Sequence, residues 1–444
     1  MKILHYALGF PPYRSGGLTK FCVDLMIQQA KSGQYIGMIW PGRIKITDNK
    51  VKIKKDNVMI GGTCIDSYEI INPLPVPYDE GITYVDKFIE DADEKTYLEF
   101  LKEVNPDVIH IHTLMGLHKS LLSAAKRRKI KLVFTAHDFF PICPKVTMFC
   151  NGTVCKNSLN FSDCRECNLT ALSINKIKFL QTGLYRNIKD STILKKIRKI
   201  HRDNYLSNSC VIKTKEVYAL DDRYKRLRQY YYSLLSMIDI IHYNSNVTKD
   251  VYEKFFELPN NCVIYITHAD IQDNRKVKNF SKEKIRIRYL GPQSDAKGFF
   301  LLQHTLDKLW EEKQNFSLDI HFVPLRKSPY MNINERYSYS EFDAIFDKSD
   351  VVVVPSIWYE TFGFTVLEAL SYGVPVIVSG TVGAKEILES GGGIIVDNIS
   401  ESNLYEIFER LDLKKLKKMN EQIVKKQKIE SISEMEKLIR ETCY

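Results

Sequence analysis

Short apolar, β-branched runs alternate with longer helical patterns along most of the chain, and this alternation limits the possible folds more than any other feature. Runs typical of strands occupy residues 3–7, 108–111, 131–135 and 238–243 in the first half, and 263–266, 285–290, 318–323, 351–354, 374–378 and 394–396 in the second. Strands that alternate with helices form parallel sheets covered on both faces, because the crossovers are right-handed. The sequence therefore predicts an α/β protein with two doubly wound domains.

The boundary between the two domains is predicted near residue 258, where Pro259 and two asparagines interrupt a helical pattern. The first domain would occupy residues 1–258 and the second residues 259–422. Beyond the second domain the chain is helical, polar and rich in lysine. We predict a C-terminal helix over residues 423–444 that could cross back to the first domain.

One segment breaks this alternation and carries the excess charge. The whole chain has 64 Lys and Arg against 54 Asp and Glu, a formal charge of +10, while residues 168–235 alone contain 15 against five. That segment shows no strand pattern and is too long for a structureless connection. We therefore predict a basic helical insertion, over about 143–235, in the first domain. The rest of the chain is close to neutral, so the insertion is where an anionic partner would bind.

The partner of the insertion is predicted to be an anionic membrane surface. Residues 193–200 place isoleucine and leucine between cations, a pattern typical of amphipathic helices that lie on membranes. Tyr230, Tyr231 and Tyr232 could instead stack on bases, but no recognised nucleic-acid motif accompanies them. There is no apolar run of about 18 residues and no pattern of a secretion signal. We expect a cytoplasmic protein, peripheral at the inner face of the membrane, that does not bind nucleic acid.

A glycine pair follows the first predicted strand. Gly16 and Gly17 precede a helix, at the position where the carboxyl end of a parallel strand and free N–H groups favour phosphate binding. An ordinary turn is the alternative interpretation. The pair does not match the GxGxxG fingerprint, which disfavours a conventional NAD site.

The strongest local motif lies in residues 355–370. An apolar strand enters a loop that contains Glu360, and the helix that begins near Gly363 carries Glu368 about two turns later. Amide groups at a helix N-terminus suit a diphosphate, and carboxylates accept hydrogen bonds from sugar hydroxyls. Solvated glutamates on a surface helix are the alternative, but apolar residues surround Glu368 in the sequence.

Together with Gly373-Val374-Pro375, the Glu-x7-Glu spacing of Glu360 and Glu368 resembles the donor-binding core of family 4 retaining glycosyltransferases. The resemblance implies the GT-B fold, in which two Rossmann-like domains face each other across a cleft. The first domain would then bind the acceptor and the second the nucleotide-sugar donor. It also implies a donor such as a UDP-, GDP- or dTDP-sugar, and no catalytic metal.

The resemblance assigns a role to each residue of the motif. Glu368 would bind the ribose hydroxyls, and Glu360 would contact hydroxyls of the transferred sugar as a catalytic residue. The backbone of three neighbouring residues would support the sugar and the diphosphate: Phe362, Gly363 and Phe364.

A second family signature is present only in part. Lys297 matches the lysine that neutralises the departing diphosphate, whereas Pro292 stands where the family has an arginine. Arg288 and Arg326 are candidates for the missing charge. The departure gives some weight to a protein that binds sugars without catalysis.

In the first domain, the resemblance places Gly16 and Gly17 near the donor phosphates. His137 matches a histidine that lines the donor sugar site, and it is included among the catalytic candidates although not as a general base. His110 and His112 alternate along a strand and are interpreted as structural.

The function implied is transfer of a sugar, with retention, to a hydroxyl of a glycan or lipid-linked acceptor in bacterial surface polysaccharide or glycolipid synthesis. A nucleotide-sugar epimerase of GT-B fold is a second enzymatic alternative, and the Glu-x7-Glu motif argues against it. A catalytically weak or binding-only homologue is the third alternative.

Five cysteines cluster between residues 143 and 167 and include one Cys-x2-Cys. That spacing occurs in structural zinc sites. The resemblance selects Cys143, Cys155, Cys164 and Cys167 as zinc ligands, with Cys150 as the alternative. Five reduced thiols in a loop are the other interpretation.

Overall fold

The computed structural model describes all residues except 12, 46, 78–80, 151, 156–160, 190, 192–193, 195–221 and 281–282. Two large, mainly parallel sheets with flanking helices form two domains, which confirms the predicted α/β class. No helix in the described part of the chain is both long and apolar enough to cross a bilayer.

The first large sheet has eight strands, and a separate hairpin supplies two more. These strands are β1 (Lys2–Tyr6), β2 (Tyr35–Pro41), β3 (Lys52–Ile60), β4 (Thr63–Ile71), β5 (Val108–Ile111), β6 (Lys131–Ala136), β7 (Phe149–Cys150), β8 (Thr153–Val154), β9 (Ile240–Tyr243) and β10 (Asn261–Val263). The order in the large sheet is β10-β9-β6-β5-β1-β2-β4-β3, and β7 pairs only with β8. Neighbours in the large sheet are parallel except β3, which pairs antiparallel with β4.

The second sheet is entirely parallel and holds six strands. They are β11 (Ile285–Arg288), β12 (Phe316–Ile320), β13 (Met331–Ile333), β14 (Val351–Val354), β15 (Val376–Ser379) and β16 (Gly393–Val396). Their order is β13-β12-β11-β14-β15-β16. The four valines of β14 are all buried, as expected for a central strand covered on both faces.

Fourteen helices are described around the two sheets. In chain order, α1 to α14 are Gly17–Lys31, Glu94–Val104, Lys119–Arg127, Phe161–Cys167, Ile174–Leu180, Gly183–Ile188, Asp222–Leu235, Asn246–Glu253, Phe299–Glu312, Phe342–Asp347, Phe364–Ser371, Glu401–Glu409, Leu413–Lys426 and Ile432–Cys443. Short 3-10 helices cover Val85–Phe88, Tyr339–Glu341 and Gly383–Ser390. Each large aliphatic side chain buried between these layers contributes roughly 1.5–3 kcal/mol relative to an exposed one.

The last helix crosses back onto the first domain. A capping box of Ser431 and Glu434 starts α14, and the helix packs against α1. Tyr444 follows it, and the backbone oxygen of Tyr444 accepts a hydrogen bond of 2.9 Å from Lys131 Nζ. The sulfur atoms of Cys262 and Cys443 lie 3.6 Å apart at this junction. The C-terminal segment therefore contacts the first sheet directly.

The described part of residues 168–235 contains helices α5, α6 and α7 and no strand. Apart from residue 194, the basic run at 193–200 lies outside the described residues. The hairpin of β7 and β8 carries Cys150 and precedes α4, on which Cys164 and Cys167 lie.

Two features differ from the predicted strand pattern. Strands β2, β3 and β4 lie within residues 35–71, where the sequence pattern predicts no strand. The prediction of a strand at 263–266 in the second sheet is wrong. The strand there, β10, ends at residue 263 and pairs with β9 of the first sheet. The first sheet therefore extends beyond the predicted boundary at residue 258.

Candidate active site

The two domains meet at the carboxyl ends of their central strands. Thr361 Oγ1, from the loop after β14, donates a hydrogen bond of 3.1 Å to the backbone oxygen of His137, just after β6. A methyl group added at Gly17 would contact the Phe364 ring at 3.6 Å, so the glycine loop faces the start of α11. These contacts bring the predicted glycine, histidine and Glu-x7-Glu regions to one cleft, where ligands of open α/β sheets bind.

The motif's first glutamate forms an ion pair with the predicted lysine. Glu360 Oε1 lies 3.0 Å from Lys297 Nζ, and only 12% of the Glu360 side chain is exposed. Burial favours protonation of Glu360, but Lys297 and a hydrogen bond from Ser356 outweigh it and hold the pKa of the carboxyl below its ordinary value. The Lys297 ammonium also lies 5.0 Å from the centre of the Trp358 ring. The pair is ionised and largely withdrawn from water.

The backbone explains why Lys297 reaches this position. The amide of Ile357 donates a hydrogen bond of 2.9 Å to the oxygen of Ala296, which joins the two loops. Gly298 has φ of +71°, and a Cβ there would lie 1.9 Å from the oxygen of Pro355. Only glycine allows this approach. The partial signature at 291–297 therefore packs against the Glu-x7-Glu loop.

Helix α11 begins at the cleft. Gly363 precedes it with φ of +98°, and a Cβ there would lie 2.7 Å from a methyl group of Val382 and 3.4 Å from Glu360 Oε2. Phe362 is buried in the core beneath the loop, while Phe364 is partly exposed. A backbone this close to the Glu360 carboxylate places the N–H groups at the start of α11 beside the ion pair.

The motif's second glutamate is buried against a histidine. Glu368 Oε1 lies 3.2 Å from His268 Nε2, and Glu368 is 5% exposed. Phe364 and Tyr339 pack on the His268 ring at centroid distances of 4.9 and 5.2 Å. The carboxylate thus has one fixed partner in an aromatic surrounding.

Charged side chains of the first domain lie close to His268, through its neighbour Asp270. Lys20 Nζ, on α1, lies 2.5 Å from Asp24 and 2.6 Å from Asp270. Asp24 also accepts a hydrogen bond of 2.8 Å from the amide of Ala269. Lys20 and Asp24 belong to no recognisable sequence motif. They lie one turn apart on α1, and this spacing brings both side chains to the domain junction.

His137 belongs to a network of buried histidines. His137 Nε2 lies 3.3 Å from His112 Nδ1, and His112 Nε2 lies 2.9 Å from His5 Nδ1. Burial lowers the pKa of His137 to about 3 and that of His5 to about 4, and the pKa of His112 is also well below its ordinary value. These rings are neutral at physiological pH.

A second branch links Tyr444 to the backbone of Ile264, just after β10. Gln29 contacts both His5 Nε2 at 2.8 Å and the Tyr444 hydroxyl at 2.9 Å. From Tyr444 the contacts continue through His110, Thr135 and His242 to the backbone oxygen of Ile264. One choice of ring protons satisfies every contact, with Nε2 of each of the five histidines as donor. His110 and His112, predicted to be structural, are members of this network.

Pro292 stands where the family has an arginine, and two other arginines are candidates for the missing charge. In the described part of the chain, both pair with groups other than Glu360 and Lys297. Arg288 donates to Ser349 at 3.0 Å and lies 3.7 Å from Asp319. Arg326 pairs with Asp307. Lys297 is therefore the cation that the described contacts bring to Glu360.

The five clustered cysteines do not converge on one point. Cys150 and Cys167 contact each other, and Cys143, Cys155 and Cys164 lie around Arg228. Among the described residues, ligand atoms within 4.8 Å of one another occur in other groups, not among these five sulfurs. Tetrahedral zinc needs four sulfurs at about 2.3 Å from the metal. The residues as placed do not fit zinc.

Two family models match the chain. The model described as Glycosyltransferase Family 4 matches residues 16–160, and the model described as Glycosyl transferases group 1 matches residues 332–429. The first range contains the glycine pair and His137, and the second contains both glutamates of the motif.

Two curated relatives come from Klebsiella pneumoniae. The "Uncharacterized 42.6 kDa protein in cps region" is 22% identical over 295 residues, which cover 66% of this chain and 62% of the relative. The "Uncharacterized 41.2 kDa protein in cps region" is 30% identical over 128 residues, 28% of this chain and 35% of the relative. The matches thus cover less than two thirds of each relative.

Solved structures match along the whole chain. Anabaena HepE in complex with UDP has a TM-score of 0.57 at 12% identity, with 100% of this chain and 99% of HepE covered. Sucrose-phosphate synthase from Thermosynechococcus elongatus has a TM-score of 0.56 at 13% identity, with 99% and 98% covered. At these identities the likeness shows the shared two-domain fold.

Proposed function

We propose, from the premise that this chain belongs to the family 4 glycosyltransferases of GT-B fold, that it transfers a sugar from a nucleotide-sugar donor to a hydroxyl of a glycan or lipid-linked acceptor. The observation that carries the proposal is the ion pair of Glu360 and Lys297 beside the start of α11. An ionised carboxylate and an ammonium at one helix N-terminus suit the hydroxyls of a sugar and the phosphates that it leaves.

The transfer is proposed to retain the anomeric configuration. The bond between the anomeric carbon and the diphosphate breaks, and the acceptor oxygen bonds to that carbon from the same face. The acceptor proton passes to an oxygen of the departing diphosphate. Lys297 and the N–H groups of α11 stabilise the charge that develops on the leaving group, which is where fixed donors contribute most.

The remaining residues hold the donor. Glu360, kept ionised by Lys297, accepts hydrogen bonds from hydroxyls of the sugar. Glu368 is proposed to bind the ribose, with His268 fixing its carboxylate. Burial lowers the pKa of His137 to about 3, which makes its ring a weak base, so His137 is proposed to orient the sugar and not to act as a general base.

The similar structures and the curated relatives support a proposal for the donor and for the biological role. HepE structures hold UDP and UDP-glucose, which makes UDP-sugars the first donors to examine. Both curated relatives are described as proteins of a cps region. We propose that this chain acts in the synthesis of a surface polysaccharide.

The acceptor side is proposed to dock on an anionic membrane through α5 and α6. Phe179, Leu184 and Ile188 are 43%, 65% and 40% exposed on these helices. Lys176 and Lys178 lie on α5 among them. Exposed apolar side chains between cations are typical of surfaces that lie on anionic lipid.

Vesicle co-sedimentation tests the docking. Leu184→Glu should reduce binding to vesicles that contain anionic lipid, while Met59→Glu, at a residue that is 66% exposed on β3, should leave it unchanged. Equal binding of both variants would contradict docking through α5 and α6.

Nucleotide release tests the proposed reaction. The protein is incubated with a panel of UDP-, GDP- and dTDP-sugars, and the products are analysed for released nucleotide and anomeric configuration. We expect release from one donor class and its loss in Glu360→Ala. Conversion of the donor to an epimer would indicate the alternative isomerase. Binding without release, when hydroxyl acceptors are present as well as water, would indicate a binding-only homologue.

A further inference from the structure

A group of charged and aromatic side chains lies at the first domain's edge of the cleft, outside the residues assigned to the donor. We name it the arginine cluster. It contains Arg43, Glu69, Arg186, Tyr13 and Trp40. Arg43 follows β2, Glu69 is near the end of β4, and Arg186 lies on α6. The cluster therefore gathers at the carboxyl ends of the parallel strands, as ligand sites do in open α/β sheets.

One buried carboxylate holds both guanidinium groups. Glu69 is 6% exposed and accepts hydrogen bonds from Arg43 Nη2 at 2.7 Å and from Arg186 Nη1 at 3.0 Å. Burial favours protonation of Glu69, but the two arginines lower the pKa of its carboxyl overall. A Cβ at Gly42 would lie 2.0 Å from Glu69 Cγ, so only glycine admits this carboxylate beside the loop.

Arg186 also lies on aromatic rings. The Arg186 guanidinium is 5.0 Å from the centre of the Trp40 ring and 5.4 Å from that of Tyr13. Lys189 Nζ lies 5.2 Å from the Tyr13 ring. Stacking fixes the plane of a guanidinium and leaves its edge available for hydrogen bonds. The arrangement holds the cations in place before any ligand arrives.

The cluster carries more positive charge than its carboxylate neutralises. Two guanidinium groups share the single carboxylate of Glu69. The side chains of Arg43 and Arg186 remain 38% and 21% exposed. Two guanidinium groups on one carboxylate leave a net positive charge, which would attract an anion.

The glycine loop connects this cluster to the donor site. Tyr13 lies on the loop that ends at Gly16 and Gly17, and Gly17 faces the Phe364 ring. The loop has the cluster at one end and the start of α11 at the other. A ligand bound at the cluster would therefore approach the donor from the first domain.

We propose that the arginine cluster binds an anionic group of the acceptor, a carboxylate or a phosphate, and so selects acidic acceptors. This inference rests on the proposed function, because it assigns the acceptor of the same reaction. Guanidinium N–H groups match carboxylate and phosphate oxygens, and the donors of Arg43 and Arg186 that do not bond to Glu69 would bind the anion. The anion could belong to an acidic sugar or to a sugar phosphate.

Calorimetric titration distinguishes these sources. The protein, with UDP at saturation so that the donor site is filled, is titrated with glucuronate, glucose 1-phosphate and neutral glucose. We expect at least tenfold tighter binding of one or both anions than of glucose. Preference for glucuronate would identify a carboxylate acceptor, and preference for glucose 1-phosphate a phosphate acceptor.

Variants connect the binding to the cluster. Arg43→Gln and Arg186→Gln should each weaken anion binding at least tenfold. The double variant Arg43→Gln with Glu69→Gln removes both charges of a pair, so it should fold even if Arg43→Gln does not, and it should show the same loss. Arg226→Gln, in an exposed pair with Asp86 on the same domain, should bind like the parent protein.

Equal affinity for anions and glucose, or no binding of either anion, would overturn the proposal. Undiminished anion binding in the double variant would also overturn it. Nucleotide release, without acceptor and with the anions or glucose added, is measured on the same preparations. Release without anion preference would reject the cluster's role and leave the glycosyltransferase activity standing, whereas absent release both to water and to the added anions and glucose as acceptors would reject the activity itself.

Discussion

The two walls of the cleft use opposite electrostatics. On the second-domain wall, the Glu360 carboxylate is paired with Lys297 and remains ionised. On the first-domain wall, the partly exposed His137 ends a hydrogen-bonded network of neutral rings whose other four histidines are buried behind it. A departing diphosphate needs charge close by, whereas a sugar ring needs shape and fixed hydrogen bonds. We therefore expect the second domain to stabilise the leaving group and the first domain to orient the sugar.

Acidification should disrupt the neutral wall first. The pKa values of His5, His137 and His242 lie at about 4, 3 and 4, below the ordinary value of 6.5. Because unfolded histidine binds protons below pH 6.5, each of these groups stabilises the fold above that pH, and this stabilisation is lost as the pH falls. At pH 5, each of these three histidines would lower the free energy of unfolding by about 2 kcal/mol relative to pH 7. Urea unfolding at pH 7 and pH 5 measures the loss.

A substituted histidine sharpens that measurement. His242→Gln keeps an amide that can hydrogen-bond but does not titrate, so it should reduce the difference between the two pH values by about 2 kcal/mol. His304→Gln, at an exposed position on α9, should leave the difference unchanged. The same unfolding free energy at pH 7 and pH 5 in the parent protein would contradict a neutral buried network.

Loss of the charged wall should affect chemistry more than stability. Lys297→Ala removes the cation beside Glu360, and we expect nucleotide release to fall about 100- to 1,000-fold, the effect of removing one electrostatic donor from an active site. Lys308→Ala is the matched control, because Lys308 forms an exposed pair with Glu401 on the same domain. Full activity in Lys297→Ala would end the assignment of this residue.

The walls also differ in how far sequence could predict them. Glu360, Gly363 and Glu368 lie within nine residues, so one strand–loop–helix unit fixes their geometry and the motif is visible in the sequence. Lys297 is distant along the chain, and only the family signature identifies it. Its proximity to Glu360 depends on the approach of Gly298 to Pro355.

The histidine network has no such local signature. Its members come from α1, from β1, β5, β6 and β9, from residues just after β5 and β6, and from the residue after α14, and only the fold makes them neighbours. Alternating histidines on β5 suggest a structural role, but no spacing connects them to Tyr444. Strand β3 is missed for a related reason, because its charged, exposed face lacks the apolar pattern of a buried strand.

Tyr444 tests the junction of the network's two branches. Its hydroxyl lies between Gln29 and His110 Nδ1, at 2.9 and 2.6 Å. Tyr444→Phe leaves both partners without that bond, and we expect a loss of about 1–3 kcal/mol in unfolding free energy. Tyr84→Phe is the control, since Tyr84 is 56% exposed on the first domain. Identical urea midpoints for the two variants would argue that the Tyr444 hydroxyl bonds water instead.

The smallest expected effect concerns the contact between the walls. Thr361→Val removes the hydrogen bond to the backbone oxygen of His137 and keeps the side-chain volume. A bond of this kind contributes about 1 kcal/mol. Because it holds the two walls at one spacing, its loss should raise the donor KM roughly fivefold while kcat changes little. Thr305→Val removes a bond within α9 and should lower stability without changing KM. If both variants kept the parent KM, the spacing of the walls would be set by the other contacts between the domains, such as the ion pair of Lys20 with Asp270.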